Sequence, residues 1–76
     1  MLIDNMTATN INFDRPTLEK IKNINYRFLY WYKEITLLDD DRVGVVLVNR
    51  SNGNMFTMYY CNLTSFINAI NKRHSL

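Results

Sequence analysis

Apolar positions along the chain change their period, and the changes divide it into elements. Leu18, Ile21 and Ile24 recur at helical spacing, with Phe28 four residues further on. Asp14 stands ahead of them as an N-cap, able to accept from the unpaired N–H groups of a first turn. Pro16 fits that first turn, because it has no N–H to leave unsatisfied. Glu19 suits the positive end of the helix dipole, and Asn23 and Asn25 supply a stop. The stretch from Asn25 to Leu38 fits two periods. Continued as helix, it would align Phe28, Tyr32 and Ile35 with Ile21 and Ile24. As strand, it would put Leu29, Trp31, Ile35 and Leu37 on one face, with Lys33 the exception. Aromatic and β-branched enrichment favours the strand. The pattern therefore predicts a helix to about residue 23 and a strand from about Tyr26 to Leu38.

The second half of the chain is plainer. Asp39 to Arg42 is a polar turn, and Val43 to Asn49 is a β-branched run that reads as a buried strand. Asn52-Gly53 predicts a hairpin with a type I′ turn, which needs positive φ at both central residues. Met55 to Tyr60 is the returning strand. Asn62 is a good N-cap, and Leu63, Phe66, Ile67 and Ile70 make one apolar helical stripe. Lys72, Arg73 and His74 then lie where cations complement the dipole. Ahead of all this, residues 1–13 are polar and read as loose, with a short edge strand at Ile11 to Phe13. The expected fold is α+β: an N-terminal helix, a three-stranded antiparallel meander and a C-terminal amphipathic helix, in one domain over residues 1–76.

Composition narrows the class. A chain of 76 residues has a thin margin of stability, and its single cysteine, Cys61, excludes an internal disulfide framework. Apolar residues make up 47% of the chain, which is enough for a core and too high for disorder. Self-association into a homodimer would be a further source of buried area. Nine basic against seven acidic residues leave a net charge of +2, a mild bias for a nucleic-acid binder and the wrong sign for an acidic mimic. The first residues lack the basic and apolar regions of a signal peptide, and no apolar run approaches a membrane span. The expectation is a cytoplasmic protein, in the cytosol of a host cell, without a membrane partner.

Catalytic chemistry finds little support. The one histidine, His74, is two residues from the C-terminus, and Cys61 has no evident base. Asp39, Asp40 and Asp41 are consecutive and lack the spacing, glycine and distal glutamate of a calcium loop. No cofactor, no metal and no enzymatic activity are expected. The aromatic runs say more. In Tyr30-Trp31-Tyr32, neighbours point in different directions on a strand or a helix, so one core face cannot take all three and at least one large ring should lie at the surface or in an interface. Tyr59-Tyr60 repeats the argument. Tyrosine and tryptophan are enriched at interface hot spots. The candidate partner-binding set is Tyr30, Trp31, Tyr32, Tyr59 and Tyr60, flanked by Arg27 and Arg50. Basic residues interleaved with these rings leave nucleic acid as a second class of partner, testable by its salt dependence.

The run "VGVVLVNRSNGNMFTMYY" leading directly into "CNLTSFINAINK", from Val43 to Lys72, resembles the layout of some small phage-encoded anti-CRISPR inhibitors. Small size, the Asn-, Ile-, Lys- and Tyr-rich composition of an AT-rich genome, and the absence of catalytic groups are similar to that class too. The resemblance implies a non-enzymatic phage or mobile-element protein that binds and inhibits or redirects a host protein. It is one of layout, so no functional residue is carried over. The better-known inhibitors of this shape are strongly acidic, whereas this chain is slightly basic.

Overall fold

The computed structural model describes residues 6–24, 26 and 29–74. In chain order the elements are β1 (Thr7–Thr9), α1 (Arg15–Lys22), β2 (Tyr30–Leu37), β3 (Val43–Asn49), β4 (Met55–Tyr60) and α2 (Leu63–His74). Both helices start as their caps dictate. The Asp14 carboxylate accepts from the Thr17 N–H at 2.9 Å, with Pro16 in the first turn, and the Asn62 side chain accepts from the Ser65 N–H at 2.8 Å. Asn23 closes α1, its backbone N–H and side-chain amide both donating to the Glu19 carbonyl. Glu19 itself lies beyond the first turn and does not serve the helix start.

The sheet order is β1-β2-β3-β4. β2, β3 and β4 form the expected antiparallel meander, but β1 adds to β2 in parallel, with Thr7 opposite Glu34 and Thr9 opposite Thr36. The sheet is thus four-stranded and mixed, and the first helix is preceded by a strand. Helix α1 is the crossover that a parallel pair requires. The expected edge strand at Ile11 to Phe13 is instead the connection into α1. Ile11 and Phe13 are packed against the core, with the Phe13 ring 6.1 Å from that of Phe66. Thr-Ala-Thr is too short to show a period, so it passed unread.

α1 and α2 cover the same face of the sheet. Ile21 from α1 and Phe66 and Ile70 from α2 meet Tyr32, Ile35, Val43, Val45 and Leu47 in one buried cluster. The stripe from Leu63 to Ile70 packs there as its spacing requires. Phe28, assigned to the first helix stripe, lies outside the described residues. In place of a strand from about Tyr26, β2 begins at Tyr30. Its faces also depart from simple alternation. Tyr32 pairs with Leu47 and Glu34 pairs with Val46, so Lys33 is an extra residue opposite nothing. Such a bulge shifts the side-chain parity by one. Trp31 therefore turns away from the helices, whereas Tyr32, Ile35 and Leu37 turn toward them. Trp31 does not share a face with Ile35 and Leu37. Lys33, which broke the expected alternation, is the residue that changes the face.

The two hairpin turns use positive φ sparingly. Between β2 and β3, Leu38 and Arg42 are bridged by the Leu38 N–H to the Arg42 carbonyl at 2.8 Å, and Asp41 sits at φ +70°. Between β3 and β4, the Asn49 N–H donates to the Asn54 carbonyl, and the Gly53 N–H donates back to the Asn49 carbonyl. Gly53 alone of that turn has positive φ, at +76°. The turn is therefore not type I′ but a four-residue connection. The Asn49 side chain braces it, accepting from the Ser51 and Asn52 N–H groups at 2.7 and 3.3 Å. Asp41 bears the strain of the left-handed region without being glycine. Asp41→Gly is expected to raise stability by up to about 1 kcal/mol, or a few degrees in melting temperature. A melting temperature that stays the same or falls would show that Asp41 relieves its strain locally.

Among the described residues, no helix is long and apolar enough to cross a membrane.

Candidate functional site

The aromatic candidates divide between the two faces of the sheet. Tyr30, Tyr32 and Tyr60 turn toward the helices. Tyr32 is only 2% exposed, with its ring 5.8 Å from Phe66 and 6.4 Å from Tyr26, both edge-on. Tyr60 is half-buried, 5.2 Å from Phe66, and Tyr30 is half-buried against Phe56 at 5.0 Å. Trp31 and Tyr59 turn to the second face. Tyr30-Trp31-Tyr32 is indeed shared between opposite faces, but none of the three is exposed. Trp31 is 6% exposed. The expectation that this run must bring a large ring to the surface is corrected: the two sides of the sheet absorb all three. Arg50 is exposed at the hairpin turn, its N–H bonded to the Leu29 carbonyl at 2.7 Å. Arg27 lies outside the described residues.

What reaches the surface is β4. Met55, Phe56 and Tyr59 are 59%, 39% and 54% exposed, and with Leu29 they are the exposed large apolar residues among those described. β4 is an edge strand, paired only with β3, and none of its six residues is charged. Met55 and Phe56 escaped sequence reasoning because their period matched an ordinary returning strand. The available signal was their place: the last strand of a meander is an edge, and this one carries none of the Lys or Pro that usually blunts edges.

On the second face, Met55, Thr57 and Tyr59 stand opposite Val48, Val46 and Gly44. The Tyr59 ring lies over Gly44. A Cβ there would meet its Cε1 at 3.2 Å. The Arg42 guanidinium is 5.0 Å from the centre of the same ring. Arg42 also holds Asp40 through a 2.7 Å ion pair, and its hydrogen bonds keep that carboxyl below the usual carboxylate range. At the other end of the strand, the Lys33 ammonium reaches the Met55 sulfur at 3.8 Å. The result is an apolar strip with one cation over it at each end.

On the helix face, Arg73 takes a part beyond the dipole. Its Nη1 donates to the Tyr26 carbonyl and its guanidinium lies 4.5 Å over the Tyr26 ring, tying α2 to the segment before β2. The Tyr32 hydroxyl and the Arg73 Nε are buried nearby, the hydroxyl with no hydrogen bond among the described residues beyond a loose contact with the Tyr60 phenol. Burial, and then the neighbouring Tyr60 phenol, push the ionisation of Tyr32 up from its ordinary value of 10.0. As pH rises past that value, the unfolded chain gives up this proton while the folded one keeps it. The stability this side chain contributes is therefore full below that pH and lost above it. Tyr32→Phe removes the loosely paired hydroxyl and the titration together. It should leave stability unchanged or raise it by about 1 kcal/mol, and flatten the fall in melting temperature at alkaline pH. A clear loss of stability at neutral pH would mean that the hydroxyl is satisfied in solution.

Cys61 is a free, exposed thiol where β4 leads into α2. Among the described residues, no three His, Cys, Asp or Glu side chains gather as metal donors. Compared with known proteins, the chain matches no family model, no curated protein and no solved structure.

Proposed function

We propose that this is a non-enzymatic binding protein that acts by occupying the surface of another protein through the second face of β4. The concrete form of the reading is a phage or mobile-element inhibitor that engages a host protein, an anti-defence factor working in the host cytosol. The resemblance of its sequence layout from Val43 to Lys72 to small anti-CRISPR inhibitors motivates that form. The observation that carries the binding reading is the pair Met55 and Tyr59, both more than half exposed on one face of an uncharged edge strand. Isolated apolar residues on a surface are ordinary, whereas a contiguous patch marks an interaction site. Tyr59 supplies a large ring of hot-spot type, and Met55 a flexible side chain that adapts to its partner.

Arg42 and Lys33, at the two ends of the strip, favour a nucleic acid as the alternative partner. Asp40 neutralises Arg42, and Glu34 is exposed on the same face, so the local charge does not build a phosphate track. Affinity capture from host-cell extract, with and without nuclease, separates the two. The protein reading expects one dominant, nuclease-resistant partner that a Met55→Lys bait fails to retain. Capture that disappears with nuclease, or falls steeply between low and moderate salt, would replace it with the nucleic-acid reading.

A further inference from the structure

The side chains of β4 are one resource and its backbone is another. In an antiparallel pair, residues alternate between those that exchange hydrogen bonds with the partner strand and those whose N–H and C=O point away from it. The Asn49 N–H donates to the Asn54 carbonyl, which sets the phase of the β3–β4 ladder. Counting along the register, Leu47–Phe56, Val45–Met58 and Val43–Tyr60 are the bonded pairs. The β2–β3 ladder has the complementary phase: the Arg50 N–H donates to the Leu29 carbonyl, so the even-numbered residues of β3 face β2. Met55, Thr57 and Tyr59 therefore aim their backbone N–H and C=O groups outward along the free edge.

We infer that this edge pairs with the same edge of a second copy, forming a two-fold symmetric dimer with a continuous eight-stranded sheet centred on Thr57. The inference rests on the reading of β4 as the interaction strand and names its first partner. An outward row of backbone donors and acceptors, hydrated in the monomer, is a ready template for another extended strand. The register that uses all three outward residues places Thr57 opposite Thr57 and Met55 opposite Tyr59. It forms about six backbone hydrogen bonds between the copies. That register is self-complementary. On the second face, each Met55 sulfur meets the partner's Tyr59 ring, a favourable sulfur–aromatic contact. On the helix face, each Phe56 meets the partner's Met58. Moving the axis toward Tyr60 gains nothing, because the chain leaves the sheet at Cys61 and turns into α2.

Two further features favour a second copy over a foreign strand. No charge on β4 opposes self-pairing, and Arg42, the nearest cation beside Tyr59, is already paired with Asp40. The pairing also closes. The opposite edge of the sheet is β1, three residues long and a different sequence, so a β4–β4 dimer leaves no matching edge to propagate a filament. An unguarded apolar edge is an aggregation hazard in a monomer and a consumed one in this dimer. Dimerisation leaves the second face open and joins two copies of the Met55–Tyr59 strip across the axis, where a target protein would meet them.

Light scattering coupled to gel filtration, over a dilution series, gives the test. Wild type should elute with twice the 9.1 kDa chain mass and dissociate on dilution. Thr57→Lys places two ammonium groups face to face at the axis and should be monomeric at every concentration, with unchanged circular dichroism. Opposed Cα atoms in a bonded pair lie about 5.5 Å apart, within disulfide reach. In a Cys61→Ser background, Thr57→Cys should then cross-link to dimers under mild oxidation, and Ser51→Cys at the turn should not. A wild type that is monomeric throughout, or a Thr57→Lys protein that remains dimeric, overturns the dimer. A monomer that still captures a host protein through Tyr59 overturns the dimer and leaves the proposed function standing. A dimer that captures nothing does the reverse.

Discussion

Phe66→Ala is expected to remove about a third or more of this protein's stability, roughly 3–5 kcal/mol. The Phe66 ring is fully buried and lies 5.2 Å from Tyr60, 5.8 Å from Tyr32 and 6.1 Å from Phe13. It therefore joins α2 to β4, to β2 and to the connection that leads into α1. Truncating a buried phenylalanine costs about 3–5 kcal/mol in transfer energy and cavity together. A chain of this length has only about 4–11 kcal/mol of stability in total. The melting temperature should fall by about 12 °C or more. Trp31, the single tryptophan and itself buried, provides the fluorescence readout. Phe66→Leu should recover a good part of the loss by refilling the volume. A Phe66→Ala melt within a few degrees of wild type would mean that the core does not hinge on this ring.

Ile35→Ala should be nearly as damaging. Ile35 is fully buried, opposite Val45 in the sheet, and its truncation costs about 2–5 kcal/mol. Deleting the whole of Lys33, two residues earlier, should cost far less. Lys33 is the extra residue of the bulge, and it lets Trp31 face one way and both Tyr32 and Ile35 the other. Without it, Tyr32, Glu34 and Ile35 meet Leu47, Val46 and Val45 in plain alternation, so each side chain keeps its face. The melting temperature of the deletion variant should stay within a few degrees of wild type. A loss as large as that of Ile35→Ala would mean that the sheet needs the bulge at Lys33 and not only the faces it sets.

That same residue shows where sequence reasoning reaches its limit. The helix caps at Asp14 and Asn62, the β-branched run at Val43 and the stripe around Phe66 are local signals, each with a local physical cause, and each was legible. The turn at Gly53 was legible as a turn but not in its type, because the Asn49 side chain braces a longer connection than the Asn-Gly pair suggests. β1 was not legible, since three residues carry no period and what makes them a strand is β2 beside them. The site divided in the same way. An aromatic surplus was visible, but its place on the surface depends on which strand is at the edge and on one bulge. Tyr30, Trp31 and Tyr32 fill both faces of an inner strand. Tyr59 stands clear on an outer one, beside Met55, which no aromatic count would select.

The central claim is that the second face of β4, and not the Tyr30–Tyr32 run, is the surface through which this protein acts. Its most direct test is calorimetric titration of the captured host protein with wild type and with a Met55→Ala/Tyr59→Ala variant, alongside their melting curves. Removing both side chains should weaken binding by about 2 kcal/mol or more, roughly thirtyfold. The melting temperature should fall by only a few degrees, the part owed to Tyr59 covering Gly44. Full affinity in a folded double variant would contradict the claim.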